Sequence, residues 1–330
     1  GIRDSVASRG LGDVYKRQAL FGAYALSSSA QAKQTPWRNW SGGLYCNPKG
    51  RYDINDEEQL ASLLEETSGP IRPVGSGHSF SPLVPTDGHL IVVDQLNGIL
   101  DYDNQTMEAT FGAGSRLGDI GSPLFEIGQG MLNLPDIDRQ TVAGATATGT
   151  HGTGVNFKSL SGYITGLRLI TADGDIKELD ASQKDLFDAA RVNLGALGVV
   201  TRIKMQNRKA YKLKKREWTA PTEDMLRDFQ MLASKYRHFE IFPLVYSDYS
   251  LVLAIDETEQ PVGETIIPAE EVELADLRPL GVNASPAEKL AMNNALAENT
   301  QISEAVDQSY KVLSNIRSLS LIHISEPTRR

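Results

Sequence analysis

The chain has little of three things that define large protein classes: cysteine, long apolar runs and an excess of positive over negative charge. Cys46 is the only cysteine in 330 residues, so no disulfide can form within the chain and no thiolate cage can hold a metal. No stretch reaches the roughly twenty apolar residues of a membrane span. The net charge of -9 disfavours a nucleic-acid partner, because phosphate binding needs clustered Lys and Arg. We interpret the basic residues between 212 and 216 as a solvated strand face.

Two nucleotide-binding fingerprints are also missing. The pattern GxxxxGK[ST] does not occur, which argues against triphosphate hydrolysis through a P-loop. The spacing GxGxxG is absent from residues 75–80, which argues against a dinucleotide fold and an NAD-dependent dehydrogenase. His89 and His238 have no partner at a metal-ligand spacing, so no metal site is predicted. The apolar fraction of 40% is that of a globular protein, and the length allows two domains.

Both ends of the chain contain segments that we set apart from the fold. The strings LGDVYKRQ at 11–18 and SLSLIHISEPTRR at 318–330 resemble translated sequencing-adapter read-through, with frayed natural tails as the alternative. We therefore expect the authentic chain to begin near residue 19 and to be cut off near 317. The apolar run at 19–26, followed by Ala30-Gln31-Ala32, is typical of an export-signal remnant. Export is expected on this basis, and a cytoplasmic location is the alternative.

The middle of the chain mixes helices with short strands. Asn55 as an N-cap, acidic residues after it and Leu60, Leu63 and Leu64 predict a helix that ends by Gly69. Strands are predicted at 71–74, 90–93, 99–102, 107–111, 164–179 as a hairpin, 199–205, 213–219 and 250–255. Ser115 is expected to cap a helix over 116–127, Ser182 to open another, and residues 224–235 to form a third. The pattern indicates an α+β fold.

Two loops are rich in small residues: RPVGSGHSF at 72–80 (the first loop) and TVAGATATGTHGTG at 141–154 (the second loop). Glycines after a strand let backbone N–H groups converge without obstruction by Cβ atoms, which makes an anion-binding concavity. Residues 75–79 can supply such donors to a pyrophosphate. The second loop offers little apolar volume, so we expect a planar ligand to lie against it, near its threonine hydroxyls. Taken alone, each loop is also compatible with ordinary turn chemistry.

Taken in order, the motifs are more specific than either loop. Over about residues 37–255 they resemble the aldonolactone oxidase and alditol oxidase group of the vanillyl-alcohol-oxidase-type flavoproteins. The matching segments are RPVGSGHSFSP at 72–82, TFGAGSRLGDI at 110–120, LPDIDRQTVAGATATGTHGTG at 134–154, GLRLITADGDI at 166–176 and NLGALGVVTRI at 193–203. In the next part of the chain, HFEIFPLVYSD at 238–248 resembles the strand that begins the family's substrate-binding sheet.

The resemblance implies FAD as the cofactor and assigns residues to it. In the family the first loop wraps the FAD pyrophosphate. By the resemblance this role falls to Pro73, Val74, Gly75, Ser76, Gly77, His78 and Ser79. The family's inner loop and its GALGVV segment imply that further residues lie beside FAD: Thr141, Gly144, Ala145, Thr146, Ala147, Gly149, His151 and Val199.

Histidine and aspartate positions carry the finer expectations. In family members with a histidine at the position of His78, the imidazole is bonded to the flavin 8α-methyl; the alternative is a hydrogen-bonded loop histidine with non-covalent FAD. His151 either has a structural role or lines the flavin cavity. Asp136 stands where alditol oxidases have a serine near the substrate. It is therefore our substrate-proximal and cofactor-proximal candidate, and it puts a simple polyol substrate in doubt.

The resemblance also implies the domain plan and the reaction. We expect a read-through and signal segment at 1–36, then a PCMH-type FAD-binding domain of two α/β subdomains at 37–207. An incomplete α+β substrate (cap) domain follows at 208–317, and an artefactual tail at 318–330. The whole enzyme would oxidise a CH–OH group of a sugar lactone or polyol and pass electrons to oxygen or another acceptor. Its catalytic residues are expected beyond the truncated end. The alternative is a flavin-binding or sugar-acid-binding protein without turnover.

Overall fold

A computed structural model of the 330-residue chain describes residues 35–245 and 247–262, and the backbone of 265–266 and 321–325. The helices are α1 (Glu57–Glu66), α2 (Leu117–Glu126), α3 (Val142–Ala147), α4 (Lys184–Ala190), α5 (Thr222–Arg227) and α6 (Phe229–Lys235). The first eight strands are β1 (Trp37–Arg38), β2 (Tyr45–Cys46), β3 (Gly50–Asp53), β4 (Ile71–Val74), β5 (His89–Val92), β6 (Ile99–Asp103), β7 (Glu108–Gly112) and β8 (Gln129–Met131). The others are β9 (Ile164–Ile170), β10 (Ile176–Asp180), β11 (Val199–Lys209), β12 (Leu213–Pro221), β13 (His238–Pro243), β14 (Tyr249–Glu257), β15 (Thr265–Ile266) and β16 (Leu321–Ser325).

The first subdomain is a small parallel sheet in the order β3-β5-β4, connected through α1. Asp56, and not the predicted Asn55, is the N-cap of α1, because its carboxylate accepts a hydrogen bond from Gln59 N at 2.7 Å. The Gln59 side chain in turn accepts from Asn55 N at 2.9 Å. The two bonds satisfy donors that a helix start leaves open, so the prediction was wrong by one residue.

The second subdomain is an antiparallel sheet in the order β10-β9-β11-β7-β6, with β8 paired to the far end of β11. The predicted hairpin at 164–179 is confirmed as β9 and β10, with Gly174 in the turn at φ 80°. Ser115 does not cap α2. Its hydroxyl accepts from Gly98 N at 2.9 Å, and Arg116 occupies the cap position without a side-chain bond. Ser115 is committed to the preceding turn, so the prediction was wrong.

One apolar core joins the two subdomains. Leu60 and Leu64 of α1 pack in the same buried cluster as Phe111, Ile203 and other residues of the antiparallel sheet. A network of ion pairs and hydrogen bonds around Glu57 also joins α1 of the first subdomain to the sheet of the second. Glu57 accepts from Arg168 at 2.8 Å, from Arg202 at 2.6 Å and from the Thr201 hydroxyl at 2.6 Å.

After β11 the chain enters a further antiparallel sheet, in the order β13-β14-β12-β16-β15, which we call the C-terminal sheet. Its helical layer departs from the prediction, because the single helix expected over 224–235 is divided into α5 and α6. The division falls at Asp228, whose φ of −96° and ψ of 4° lie outside the helical region. The Arg227 guanidinium bridges Asp224 at 2.6 Å and Asp228 at 3.0 Å across the break.

Arg237 connects this C-terminal sheet to the antiparallel sheet of the second subdomain. Its guanidinium lies between the rings of Phe157, at 4.4 Å, and Tyr211, at 5.0 Å. It donates to the Leu132 carbonyl at 2.9 Å and to Glu257 at 2.7 Å. A guanidinium that is packed between aromatic faces and bonded at its edges is held rigidly. Arg237 is therefore a largely buried cation that helps to hold the two sheets together.

Two predictions fall on the ends of the chain. The export-signal segment lies outside the described residues apart from 35 and 36. Of residues 318–330, the structure describes only β16, which pairs with β12. Within the part of the chain that the structure describes, no helix has the length and apolarity to cross a membrane.

Candidate functional site

A cleft of about 340 Å³ opens where three segments meet: the first loop, the start of the second loop, and residues 193–200. Its walls are mostly apolar, with a few polar groups, as is usual for cofactor sites. The predicted residues that line it are Pro73, Val74, Gly75, Ser76, Gly77, His78, Ser79, Thr141, Gly144 and Ala147. The others are Phe80, Leu83, Val84, Val93, Gln140, Ala143, Thr148, Asn193, Leu194, Gly195, Gly198 and Val200.

The first loop presents unused hydrogen-bond donors. The carbonyls of Gly77, His78 and Ser79 accept bonds from residues 39 and 40. By contrast, within residues 35–245 and 247–262 no protein acceptor meets the N–H groups of residues 75–79. The Ser76 hydroxyl is buried and likewise has no partner among the described residues. Buried polar groups are normally satisfied, so this concentration of open donors marks a place for a polar ligand.

The first loop approaches the second so closely that only glycine fits. A Cβ atom at Gly75 would lie 2.2 Å from the Thr141 hydroxyl oxygen. Thr141 cannot easily move, because its hydroxyl accepts from Gly144 N at 3.2 Å and so caps α3. A Cβ at Gly144 would in turn lie 2.9 Å from the same oxygen. The two glycines and the cap therefore fix the distance between the loops.

The helical period decides which residues of the second loop face the cleft. Ala143, Gly144, Ala147 and Thr148 line it, whereas the predicted Ala145 and Thr146 are buried on the opposite side of α3. The Thr146 hydroxyl donates to the Val142 carbonyl at 2.8 Å within the helix. A run of consecutive predicted residues cannot all face one ligand when the chain is helical. Ala143 was missed for this reason, whereas Thr148 is one of the threonines whose hydroxyls were expected near the ligand.

Residues 193–200 form the third wall, and here the strand period matters. Val199 and Val200 both belong to the buried apolar core, and of the two Val200 lines the cleft. Successive side chains on a strand point to opposite faces, which places Val200 rather than the predicted Val199 at the cleft. Asn193 shapes the turn before the strand, because its side-chain oxygen accepts from Gly195 N at 2.6 Å. A Cβ at Gly195 would lie 2.8 Å from Pro73 Cγ, which brings this turn against the first loop.

His78 is the one titratable side chain among the described residues that line the cleft. Burial lowers the pKa of its imidazole, and the nearby positive charge of Arg116 lowers the pKa further. The ring is therefore neutral at physiological pH, with a free nitrogen lone pair. The Trp40 ring is stacked on it, with centroids 5.4 Å apart and planes 19° apart.

Three further predicted residues lie away from the cleft walls. Asp136 is exposed in the segment between β8 and α3. Gly149 ends α3 with a φ of 69°. His151 is exposed, and its Nδ1 lies 3.0 Å from the Gly152 carbonyl oxygen. Gly149 and His151 were assigned through the family's inner loop, which the structure divides in two at the end of the helix. Asp136 was chosen because it stands where alditol oxidases have a serine.

The end of the second loop faces the C-terminal sheet instead. The Nδ1 of the buried His238 lies 3.0 Å from the Thr153 carbonyl, which can only accept, so Nδ1 donates. The Thr153 hydroxyl donates to Glu240 at 3.2 Å. The His238 ring stacks on Phe157 at 5.2 Å. Thr153 thus contacts the strand that begins at His238, whereas Ala143, Gly144, Ala147 and Thr148 line the cleft. Within the described ranges, no group of three or more His, Cys, Asp or Glu side chains is placed to hold a metal.

Comparisons with known proteins agree on one class. The FAD binding domain family matches residues 51–180. The chain is 32% identical over 292 residues to L-gulono-1,4-lactone dehydrogenase of Mycobacterium tuberculosis, an alignment that covers 86% of this chain and 68% of that protein. It is 28% identical to L-gulonolactone oxidase of Scyliorhinus torazame, over 69% of this chain and 53% of that protein. A solved cholesterol oxidase from B. sterolicum shares the fold, with a TM-score of 0.68 and 18% identity over 90% of this chain and 62% of that one.

Proposed function

The chain belongs to the aldonolactone oxidase group of the vanillyl-alcohol-oxidase-type flavoproteins, and on this premise we propose that it forms the FAD-binding part of an enzyme that oxidises a CH–OH group of a sugar-derived lactone. The chain spans about two thirds of the Mycobacterium tuberculosis relative and about half of the Scyliorhinus torazame relative, at 68% and 53% of their lengths. Both relatives are named for gulonolactones. A lactone is therefore favoured over a polyol.

The open donors of the first loop carry the proposal. A diphosphate needs several N–H groups that converge on its oxygens. Residues 75–79 offer such groups without internal acceptors, and the Ser76 hydroxyl adds a buried donor. The small residues Gly75, Gly144 and Ala147 then leave room for a planar ring system along the cleft. The residues present therefore fit FAD.

We assign His78 as the covalent attachment point. Its imidazole lines the cleft next to the open donors, and its lowered pKa keeps a nitrogen lone pair available. Covalent attachment prevents cofactor loss and raises the oxidising power of the flavin. The phosphate-binding residues and the attachment residue would then be neighbours in the same turn.

Bound FAD would supply the redox chemistry, by accepting a hydride from the alcohol carbon and passing two electrons to oxygen or another acceptor. The alcohol must also lose a proton to a base. The described cleft offers no titratable side chain other than His78. We therefore expect the base, and a group that stabilises charge on the flavin, to come from residues beyond the described ones.

A pair of histidine variants tests the assignment. The chain is expressed with FAD, precipitated with acid, and the flavin in pellet and supernatant is measured. The wild-type pellet should retain flavin, whereas His78→Ala should bind FAD and release it into the supernatant. His89→Ala is the control, because His89 lies on β5 and its Nδ1 lies 3.4 Å from the Tyr52 hydroxyl, away from the cleft. Equal retention in the wild type and His78→Ala would refute attachment at His78.

The substrate class is tested with the whole protein. Under anaerobic conditions, a sugar 1,4-lactone should bleach the visible flavin band as the flavin is reduced, and a polyol should leave it unchanged. A band that no lactone or polyol bleaches would support a flavin-binding protein without turnover. Oxygen or a dye is then added to the bleached protein as electron acceptor. Return of the flavin band with oxygen indicates an oxidase, and its return with the dye alone indicates a dehydrogenase.

A further inference from the structure

The hairpin of β1 and β2 holds the first loop from outside the cleft. Trp40 N donates to the Gly77 carbonyl at 3.1 Å. The Asn39 side-chain amide donates to the Ser79 carbonyl at 3.2 Å. The Trp40 indole N–H donates to the His78 carbonyl at 3.2 Å. Three consecutive carbonyls are therefore turned towards the hairpin, which directs the loop's N–H groups to the other side.

Trp40 also contacts the His78 side chain itself. The two rings are stacked with centroids 5.4 Å apart, and the Phe80 ring meets the Trp40 ring edge-on at 5.6 Å. Trp40 is 58% exposed, so burial of its large ring in a core does not account for its position. Its contacts are with the turn that contains His78.

We propose that Trp40 is a positioning residue that orients the His78 imidazole for covalent attachment of the flavin. This proposal rests on the proposed function, in which FAD occupies the cleft. The stacked indole restricts rotation of the imidazole ring about its bond to Cβ. The indole N–H fixes the backbone of the same residue, so both ends of the side chain are held.

The stacking geometry suits this role. The lone pair of an imidazole nitrogen lies in the plane of the ring. A ring stacked on one face therefore limits rotation without covering either nitrogen. The burial that lowers the pKa of His78 keeps that lone pair free of a proton at neutral pH.

The attachment step balances as an oxidation. One C–H bond of the flavin 8α-methyl and the imidazole N–H bond break, and one C–N bond forms. The two hydrogens and their electron pair would pass to the flavin ring and leave it reduced, and dioxygen would then reoxidise it with formation of hydrogen peroxide. The rate of C–N bond formation depends on how often the nitrogen points at the methyl carbon, because orientation contributes strongly to such steps.

The test uses the 330-residue chain purified without flavin and then mixed with FAD in air. Total bound FAD is measured by absorbance after gel filtration, and attached FAD by fluorescence of the denatured protein band over time. Trp40→Ala should bind FAD but attach it about tenfold more slowly. Trp40→Phe keeps a stacking ring and should recover most of the rate. Tyr45→Ala removes an exposed aromatic of the same hairpin whose ring lies against Arg38, and it should behave as wild type.

Each outcome bears on the proposal. Attachment at the wild-type rate in Trp40→Ala would overturn it. Attachment by Trp40→Phe as slow as by Trp40→Ala would overturn the stacking role and favour the indole N–H. Loss of total FAD binding in Trp40→Ala, with attachment in proportion to what is bound, would show a purely structural role. A wild-type chain that binds no FAD would reject the proposed function itself, a result that differs from all of these.

Discussion

The first and second loops have similar compositions but use their backbones differently. The first loop bonds its carbonyls outward and leaves the N–H groups of 75–79 without protein acceptors among the described residues. The start of the second loop folds into α3, where N–H groups of the loop donate to carbonyls of the same helix. Ala145 N, for example, donates to the Thr141 carbonyl at 2.8 Å. One loop can bind an anion, and the other provides a surface. Composition alone indicates close approach but not which donors remain open.

The largest expected effect comes from closing the contact between the loops. In Gly75→Ala the new methyl group would lie 2.2 Å from the Thr141 hydroxyl oxygen. Either the first loop must move or the cap of α3 must break, at a cost of about 1–3 kcal/mol. Because the displaced loop carries the open donors, FAD affinity should fall about 10- to 100-fold. Fluorescence titration with FAD measures the change.

Gly43→Ala is the matched control for this variant. Its methyl group would meet only the Ser41 hydroxyl, at an ordinary 3.6 Å. It should bind FAD as the wild type does. Unchanged affinity in Gly75→Ala would mean that the distance between the loops does not govern cofactor binding.

A glycine at the far end of the second loop should give the opposite result. Gly154 has a φ of 100°, and a methyl group there would lie 2.5 Å from the Arg237 carbonyl oxygen. Gly154→Ala should cost about 1–2 kcal/mol of unfolding free energy, since the backbone conformation disfavours any Cβ. FAD affinity should remain within about twofold of wild type, because the strain lies at the domain junction. Thermal unfolding and FAD titration of the same sample separate the two effects, and a large loss of affinity would contradict the division of the loop.

The cap of α3 should have a moderate effect. Thr141→Val keeps the shape of the side chain but removes the oxygen that accepts from Gly144 N. The unfolding free energy should fall by about 1 kcal/mol. Thr141→Ser retains an acceptor oxygen and should lose less. Urea denaturation of both variants checks this order, and equal losses would show that the hydroxyl does not stabilise the helix.

The smallest effect concerns the joint between the subdomains and depends on pH. Burial acts to raise the pKa of Glu57, but bonds from Thr201, Arg202 and Arg168 outweigh it and lower the pKa below its ordinary 4.5. A carboxylate with a lowered pKa stabilises the fold above its unfolded pKa, and this stabilisation is lost as pH falls through the folded pKa. Glu57→Gln should therefore be less stable at neutral pH, and its deficit should shrink below about pH 4.

Urea unfolding at a series of pH values tests this prediction. Glu58→Gln removes the same charge at an exposed position of the same turn and serves as the control. Parallel curves for the wild type and Glu57→Gln across acid pH would show that the network contributes nothing that depends on ionisation.

The sequence predicted the elements whose local signals agree with their surroundings. The hairpin at 164–179 is confirmed because Gly174 supplies the positive φ that its turn needs. The α+β fold, the flavoprotein group and FAD as cofactor are confirmed. Ser115 failed as a cap because a tertiary partner, Gly98, uses its hydroxyl. No local pattern contains that partner.

The candidate site was predicted in outline and missed in detail for geometrical reasons. The residues predicted from the first loop all line the cleft, because an extended turn exposes consecutive residues. On α3 and β11 consecutive side chains lie on different faces. Ala145, Thr146 and Val199 therefore do not line the cleft, whereas Ala143 and Val200 do. Leu83, Val84 and Val93 come from elements with no distinctive motif, so only the folded chain brings them to the site.

The central claim is that the first loop brings its open amide donors and His78 to one FAD molecule. Mass spectrometry of the proteolytic peptide that contains His78, from chain expressed with FAD, tests it most directly. We predict a peptide heavier by FAD less the pair of hydrogens lost on attachment, with fragment ions that place the added mass on His78. An unmodified His78 peptide, from chain that also retains no FAD on gel filtration, would contradict the account.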